Sequence, residues 1–390
     1  MVNTLFIKTK QQKAWLNRLR QHETSFKERS VQTDELAIFP TENIRELVGM
    51  GYSSITLPES YGGEGLKVYD MVLLQETLAS FDANTALSIG WHLGVVGEIF
   101  EKKLWTDENL AFFAKEILNG ALVNRAASEV QTGSPTRGGR PETVAIKNGG
   151  HWILTGRKIF TTMSPVLTYF ITSAWIEEKQ KIGHFLLHKD LEGLSIEETW
   201  DVISMRGTGS HDLILDHVKV EDSMLVELPE TARAGQMNGW MLHIPACYLG
   251  IAQAARDYAV HFANHHAPNS LNGPISQLPN VQQHLGEIDL AIIQARHLIY
   301  SVAEAYDDES RRDLMINELG VVKHVVTNTA ISIVDQAMRV VGARSLQRSN
   351  PLQRYYRDVR AGLHNPPMDD MTIQKLAQAS IEEDKRKNSH

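Results

Sequence analysis

The sequence predicts an α+β chain in the order helix, strand, helix. Three observations carry this. Apolar residues recur at helical spacing through residues 1–120. Short β-like runs separated by turns fill 121–230. Three long helical stretches follow in 231–390. The expected parts are an N-terminal helical domain, a middle antiparallel β-domain and a C-terminal four-helix bundle. At 390 residues the chain exceeds the roughly 250–300 residues at which one core stops growing.

In the first part, residues 44–54 (IRELVGMGYSS) have helical spacing that Gly51 ends. Residues 69–82 predict a second helix. Residues 85–104 predict a third, apolar around most of its circumference and therefore buried. LPESYGGEG (57–65) is a loop punctuated by Pro and Gly. In the middle part, TVAIKNGG and HWILTGRKIFTT form a hairpin candidate turning at Asn148-Gly149-Gly150. YFITSAWI, GHFLLHK and LILDHVKV have strand length. In the last part, 237–264, 280–307 and 311–342 have the length of bundle helices.

Composition narrows the function. The net charge of −8 gives no basic patch for nucleic acid or anionic membrane. The lone cysteine, Cys247, excludes an intramolecular disulfide framework. The N-terminus carries charge where a signal peptide needs its apolar stretch, and no window is apolar for 18 residues. A cytoplasmic protein without a membrane span is expected. No phosphate loop, dinucleotide fingerprint, HExxH or GxSxG is present. GTGS (207–210) opens no helix. His261 and His265 have metal-ligand spacing, but a solvated helix end explains them better, and no metal is expected.

Five segments in order carry more information: LPESYGGEGL (57–66), ASEVQTGSP (127–135), GRKIFTTMS (156–164), MRGTGSHDLILDHVKV (205–220), and the stretch from Gln336 through GARSL (342–346) and RYYRDVRAGLHNP (354–366). Together they resemble the acyl-CoA dehydrogenase superfamily over nearly the whole chain. The resemblance implies an α–β–α fold, FAD, a homo-oligomer (tetramer or dimer) and an oxidoreductase acting on CH–CH groups. It implies that Ala126, Ser128, Gly133 and Ser134 line the flavin, with Ser134 donating to the pyrophosphate. It implies that Phe160 stacks on the isoalloxazine ring, with Thr161 beside it and Thr162 donating near N5. Gln336 matches the glutamine before the adenine-side loop. A flavin site needs a flat apolar face and a polar edge without bulk water.

The chain departs from the family at four places. The usual catalytic Glu, eight residues after the Asp of YRD (here Asp358), is Pro366. The second known location of the base holds Trp240, and no Asp or Glu occurs from 232 to 256. HHAPNSLNGPI (265–275) lacks the Arg that reaches a neighbouring subunit's FAD. The GG pair after Gln336 is replaced by Arg339, Val340 and Val341.

These departures resemble another branch of the superfamily, the two-component monooxygenases that bind reduced flavin delivered by a reductase. There, histidines near the ring assist oxygen chemistry. His364, two residues before the missing Glu, and His92 are the candidate catalytic residues, since an imidazole suits proton transfer near neutral pH. The expected reaction is α,β-dehydrogenation of an acyl-CoA, with an electron-transferring flavoprotein as electron partner and Asp369 or His364 as substitute base. The alternative is oxygenation of another small molecule with reduced FAD or FMN and a flavin reductase. A non-catalytic flavin-binding member is the third reading.

Overall fold

A computed structural model describes residues 4–132, 139–229 and 238–388. Six helices come first: α1 (Lys10–Gln21), α2 (Glu23–Leu36), α3 (Thr41–Gly49), α4 (Val68–Ala79), α5 (Ala83–Glu101) and α6 (Asp107–Leu118). Local chemistry sets several ends. Thr9 and Gln12 form a capping box on α1. The Asp82 side chain accepts from the Asn84 and Thr85 amides at the start of α5. Gly51, at φ 83, takes the left-handed turn after α3. The apolar α5 is buried along nearly its whole length, as its composition requires.

Eight strands follow: β1 (Val123–Ala126), β2 (Val144–Asn148), β3 (His151–Thr161), β4 (Tyr169–Ile176), β5 (Lys181–His188), β6 (Leu194–Glu197), β7 (His211–Glu221) and β8 (Leu225–Glu227). Their order is β6-β7-β3-β2-β4-β5-β8, with β1 on β4. The β2–β3 hairpin pairs Asn148 with His151 across Gly149-Gly150. The sheet is not wholly antiparallel, however: β1 and β2 both run parallel to β4. Strands that both run parallel to β4 point the same way, so a tight turn cannot join β1 to β2.

The last part holds α7 (His243–His265), α8 (Pro279–Asp307), α9 (Ile316–Val341), α10 (Pro351–Asp358) and α11 (Asp369–Asn388). Helix α4 packs on α7 and α8, so the first and last parts share one core. Two polar contacts cross that junction. The Asp307 carboxylate at the end of α8 accepts from the Val68 and Tyr69 amides, 3.0 and 2.9 Å away, and caps α4. Deeper, buried Glu76 accepts from Arg296 Nε at 2.8 Å and Tyr300 OH at 2.6 Å. Arg296 also donates to Gln253 at 2.7 Å. Among the described residues no helix is long and apolar enough to cross a membrane.

This junction is testable. Arg296→Met should leave Glu76 as an unpaired buried charge and destabilise the fold by roughly 3–5 kcal/mol. Tyr300→Phe should cost about 1–3 kcal/mol, since it removes one hydrogen bond to a charge. Chemical denaturation midpoints compare them; equal losses would mean that the charge pair is not what matters.

Candidate functional site

The GRKIFTT segment ends β3, where its pairing with β7 slips between Lys158 and Thr161. A bulge of this kind re-aims side chains. Lys158 and Thr161 are fully buried, whereas Phe160 between them is 60% exposed. Phe160 also holds φ at 57°, a conformation an aromatic residue rarely adopts. Its ring meets Trp200 edge-on, with centroids 6.0 Å apart. A strained, bulged strand thus presents an apolar ring to an open face.

The bulge is anchored from below. Lys158 Nζ lies 2.5 Å from Glu129 Oε1, and both side chains are buried. The same carboxylate accepts from Thr143 Oγ1 at 2.6 Å, the Thr143 amide at 3.1 Å and the Glu142 amide at 2.5 Å. Burial pushes the Glu129 carboxyl up, but Lys158 and these donors outweigh it and hold the carboxyl below its ordinary range. Burial pulls Lys158 down to about 8 against the raising effect of Glu129. At neutral pH the pair is ionic. It ties the turn after β1 to the end of β3, and the Ile159 amide donates to the Ser128 carbonyl at 2.9 Å alongside.

Several expected flavin-side residues therefore come together. Ala126 is buried at the end of β1, paired with Thr172, and half-buried Ser128 follows it. Gly133 and Ser134 lie outside the described residues. Of the Phe160–Thr162 triplet, Thr161 turns inward, and its hydroxyl is buried without a partner. Thr162 is half-buried beside Phe160, and its Oγ1 lies 2.9 Å from Ser210 Oγ. Asn124 Nδ2 donates to the Thr162 carbonyl at 3.0 Å. Gln336 sits apart on α9, and its side-chain carbonyl is buried and unpartnered.

The two candidate histidines differ. His92 is fully buried on α5. Its Nδ1 accepts from the Val123 amide at 3.1 Å, and its Nε2 donates to the Ser53 carbonyl at 2.8 Å. Both ring nitrogens are committed to backbone, and burial pulls the ring down to about 4. His92 is thus a strut between α5 and β1. His364 is exposed, on the loop after the 3-10 turn Val359–Leu363. That loop is latched at the next residue, where Tyr248 OH donates to Asn365 Oδ1 at 2.5 Å.

No free carboxylate takes the place of the missing Glu among the residues at its usual locations. Pro366 is half-buried in the loop. Asp369 accepts from Asn328 Nδ2 at 2.9 Å and lies 3.1 Å from His324 Nδ1 and 3.6 Å from buried Lys323 Nζ. Trp240 is buried against α5, where a Cβ on Gly97 would stand 2.4 Å from its ring. His243, one turn on, fills the notch at Gly90 in the same way, and burial alone pulls it down to about 3. Two surface clefts, of about 250 and 420 Å³, contain neither Phe160 nor His364. Lys158, Trp200, Thr208 and Ser210 also belong to this region, although no motif singles them out. The GRK and GTGS segments hold three of these; Thr208 and Ser210 pair locally, but Lys158 meets Glu129, and Ser210 meets Thr162, only in the folded domain.

The buried histidines give a pH test. A His held neutral by burial binds a proton only when unfolded, so its contribution to stability is present above the ordinary value of 6.5 and is lost toward acid. Asp358, raised to about 7 by burial, and Asp307, raised to about 6, act in the opposite sense. The His92 share is therefore read as a difference. His92→Gln should destabilise most at pH 7, and the loss should shrink by about 1.4 kcal/mol per unit toward pH 5. A loss independent of pH would show that the ring is not buried neutral.

Known proteins agree with this architecture. Models of the acyl-CoA dehydrogenase N-terminal, middle and C-terminal domains match residues 9–103, 124–218 and 242–365. "Putative acyl-CoA dehydrogenase YdbM" of Bacillus subtilis is 57% identical over 379 residues, 97% of this chain and 100% of the relative. An L-evernosamine nitrososynthase of a Micromonospora strain is 28% identical over 84% of this chain and 80% of its own. Butyryl-CoA dehydrogenase of Megasphaera elsdenii superposes with a TM-score of 0.86 at 21% identity, covering 96% of this chain and 99% of that one. KijD3 in complex with FMN and an amino-keto sugar nucleotide superposes at 0.83 with 24% identity, covering 96% and 95%. With three domain models in order and a 57% identical full-length relative, this chain belongs to the acyl-CoA dehydrogenase family.

Proposed function

We propose that the chain is a flavin-dependent oxidoreductase that uses reduced flavin, supplied by a reductase, and dioxygen to oxidise a small organic molecule. One observation carries this choice over dehydrogenation. The Phe160 wall is intact, yet neither usual location of the family's base offers a carboxylate, and Asp369 is already bound to Asn328 and His324. An acyl-CoA α-proton needs a base to leave at a useful rate, whereas oxygenation does not require that step.

The residues fit a flavin. The exposed Phe160 ring offers a flat apolar face, Thr162 offers a polar edge, and Trp200 shields one side. Reduced flavin, FMN or FAD, supplies two electrons, so that one oxygen atom enters the substrate and the other leaves as water. Phe160 would stack on the ring and orient it. Ser128 and Thr162 flank it. His364 holds or moves a proton on the substrate side, and Tyr248 fixes its loop through Asn365. His92 positions β1 from within. The FMN complex of KijD3 and the nitrososynthase support this reading. The exposed apolar residues Leu290 and Ile293 on α8 support a homo-oligomer.

The relative named as an acyl-CoA dehydrogenase at 57% identity favours a second reading. There, His364 serves as base, an acyl-CoA is dehydrogenated, and an electron-transferring flavoprotein takes the electrons. The two readings separate in one pair of measurements. Oxygenation predicts that a flavin reductase with NADH drives oxygen uptake that rises with substrate, and that His364→Ala lowers coupled turnover roughly 10²-fold. Anaerobic bleaching of bound oxidised flavin by an acyl-CoA would establish dehydrogenation instead. Activity unchanged in His364→Ala would remove this residue from either scheme.

A further inference from the structure

Thr162, Ser210 and Thr208 place three hydroxyls in a row. Thr162 Oγ1 lies 2.9 Å from Ser210 Oγ, and Ser210 Oγ lies 2.9 Å from Thr208 Oγ1. The row ends at the Met205 carbonyl, 3.0 Å from Thr208 Oγ1. A hydroxyl has one hydrogen and donates once, whereas a carbonyl oxygen only accepts. Thr208 must therefore donate to Met205, because two oxygens facing at that distance without a hydrogen repel. With its hydrogen used, Thr208 accepts from Ser210, and Ser210 accepts from Thr162. The far end sets the direction of every bond in the row.

That end is held firmly. The Met205 amide donates to the buried Asp358 carboxylate at 2.7 Å, and Trp200 Nε1 donates to the same Met205 carbonyl at 3.0 Å. Thr208, Ser210 and Met205 are buried, so bulk water does not compete for their hydrogen bonds. Only Thr162 reaches the open face beside Phe160. Its hydrogen points back into the row, leaving its oxygen lone pairs toward the face.

We propose that this row makes Thr162 a fixed hydrogen-bond acceptor and thereby selects reduced over oxidised flavin. The inference rests on the flavin reading above, and it reverses the expectation that Thr162 donates. Oxidised flavin carries a bare, accepting N5, which a second acceptor opposes. Reduced flavin carries N5–H, a donor that an acceptor matches. A site built this way takes up the reduced cofactor and releases it once oxidised, as a diffusing cofactor requires.

The test is anaerobic titration of the purified protein with oxidised and with dithionite-reduced FMN and FAD. Reduced flavin should bind at least tenfold more tightly, equivalent to a midpoint potential about 30 mV above that of free flavin. Ser210→Ala frees the Thr162 hydrogen, so the ratio should fall to one or invert, while Ser210→Thr should restore it. Thr162→Val should abolish the preference. Equal affinity in the wild type, or a ratio unchanged by Ser210→Ala, would overturn the inference while leaving the flavin reading standing. Failure to bind either state would overturn the flavin reading itself.

Discussion

The buried ion pair between Glu129 and Lys158 determines the shape of the candidate site. Two charges out of water need further hydrogen-bond partners, and here Thr143 and the Glu142 amide donate to Glu129 while Ser173 Oγ accepts from Lys158 at 3.2 Å. Matching fixes the turn after β1 against the last residues of β3. Once Lys158 and Thr161 are drawn inward around the slipped register, Phe160 has nowhere to go but out. The strain at its φ angle is balanced by the interactions on either side of it.

The rest of the site is arranged around this wall by elements distant in sequence. The loop containing Trp200 and Met205 is tied to Asp358 at the end of α10, and the 3-10 turn Val359–Leu363 that leads to His364 begins at the next residue. One buried carboxylate therefore sits between the polar row at Thr162 and the segment that leads to His364. Helix α5 is held on one side by His92 to β1 and on the other by Trp240 and His243 seated over its glycines. The shared core of α4, α7 and α8 keeps these parts in register.

Much of the architecture was legible because it follows from local periodicity. The helices α3, α4 and α5, the β2–β3 hairpin and the three long C-terminal helices each carry an apolar repeat or a turn signal within a few residues. The parallel pairing of β1 and β2 with β4 was not legible, since strand direction depends on a connection whose path is set by the whole sheet. The resemblance singled out Phe160, Thr161 and Thr162 together, and the structure exposes Phe160, half-buries Thr162 and buries Thr161. The resemblance could not separate the three, because the expected alternation along a strand fails at a bulge.

The sequence by itself determined the order of the domains, the family, and the absence of a carboxylate at positions 366 and 240. Those facts depend on residue identity and spacing alone. Only the tertiary structure decided that His92 is a strut with both nitrogens bound, that Lys158 and Glu129 neutralise one another, and that a Met205 carbonyl dictates the polarity of Thr162. Each of these depends on a hydrogen-bond partner at least 29 residues away in the chain or on a row of partners whose direction is set at its far end. Donor and acceptor roles are properties of the assembled network, not of the residues that compose it.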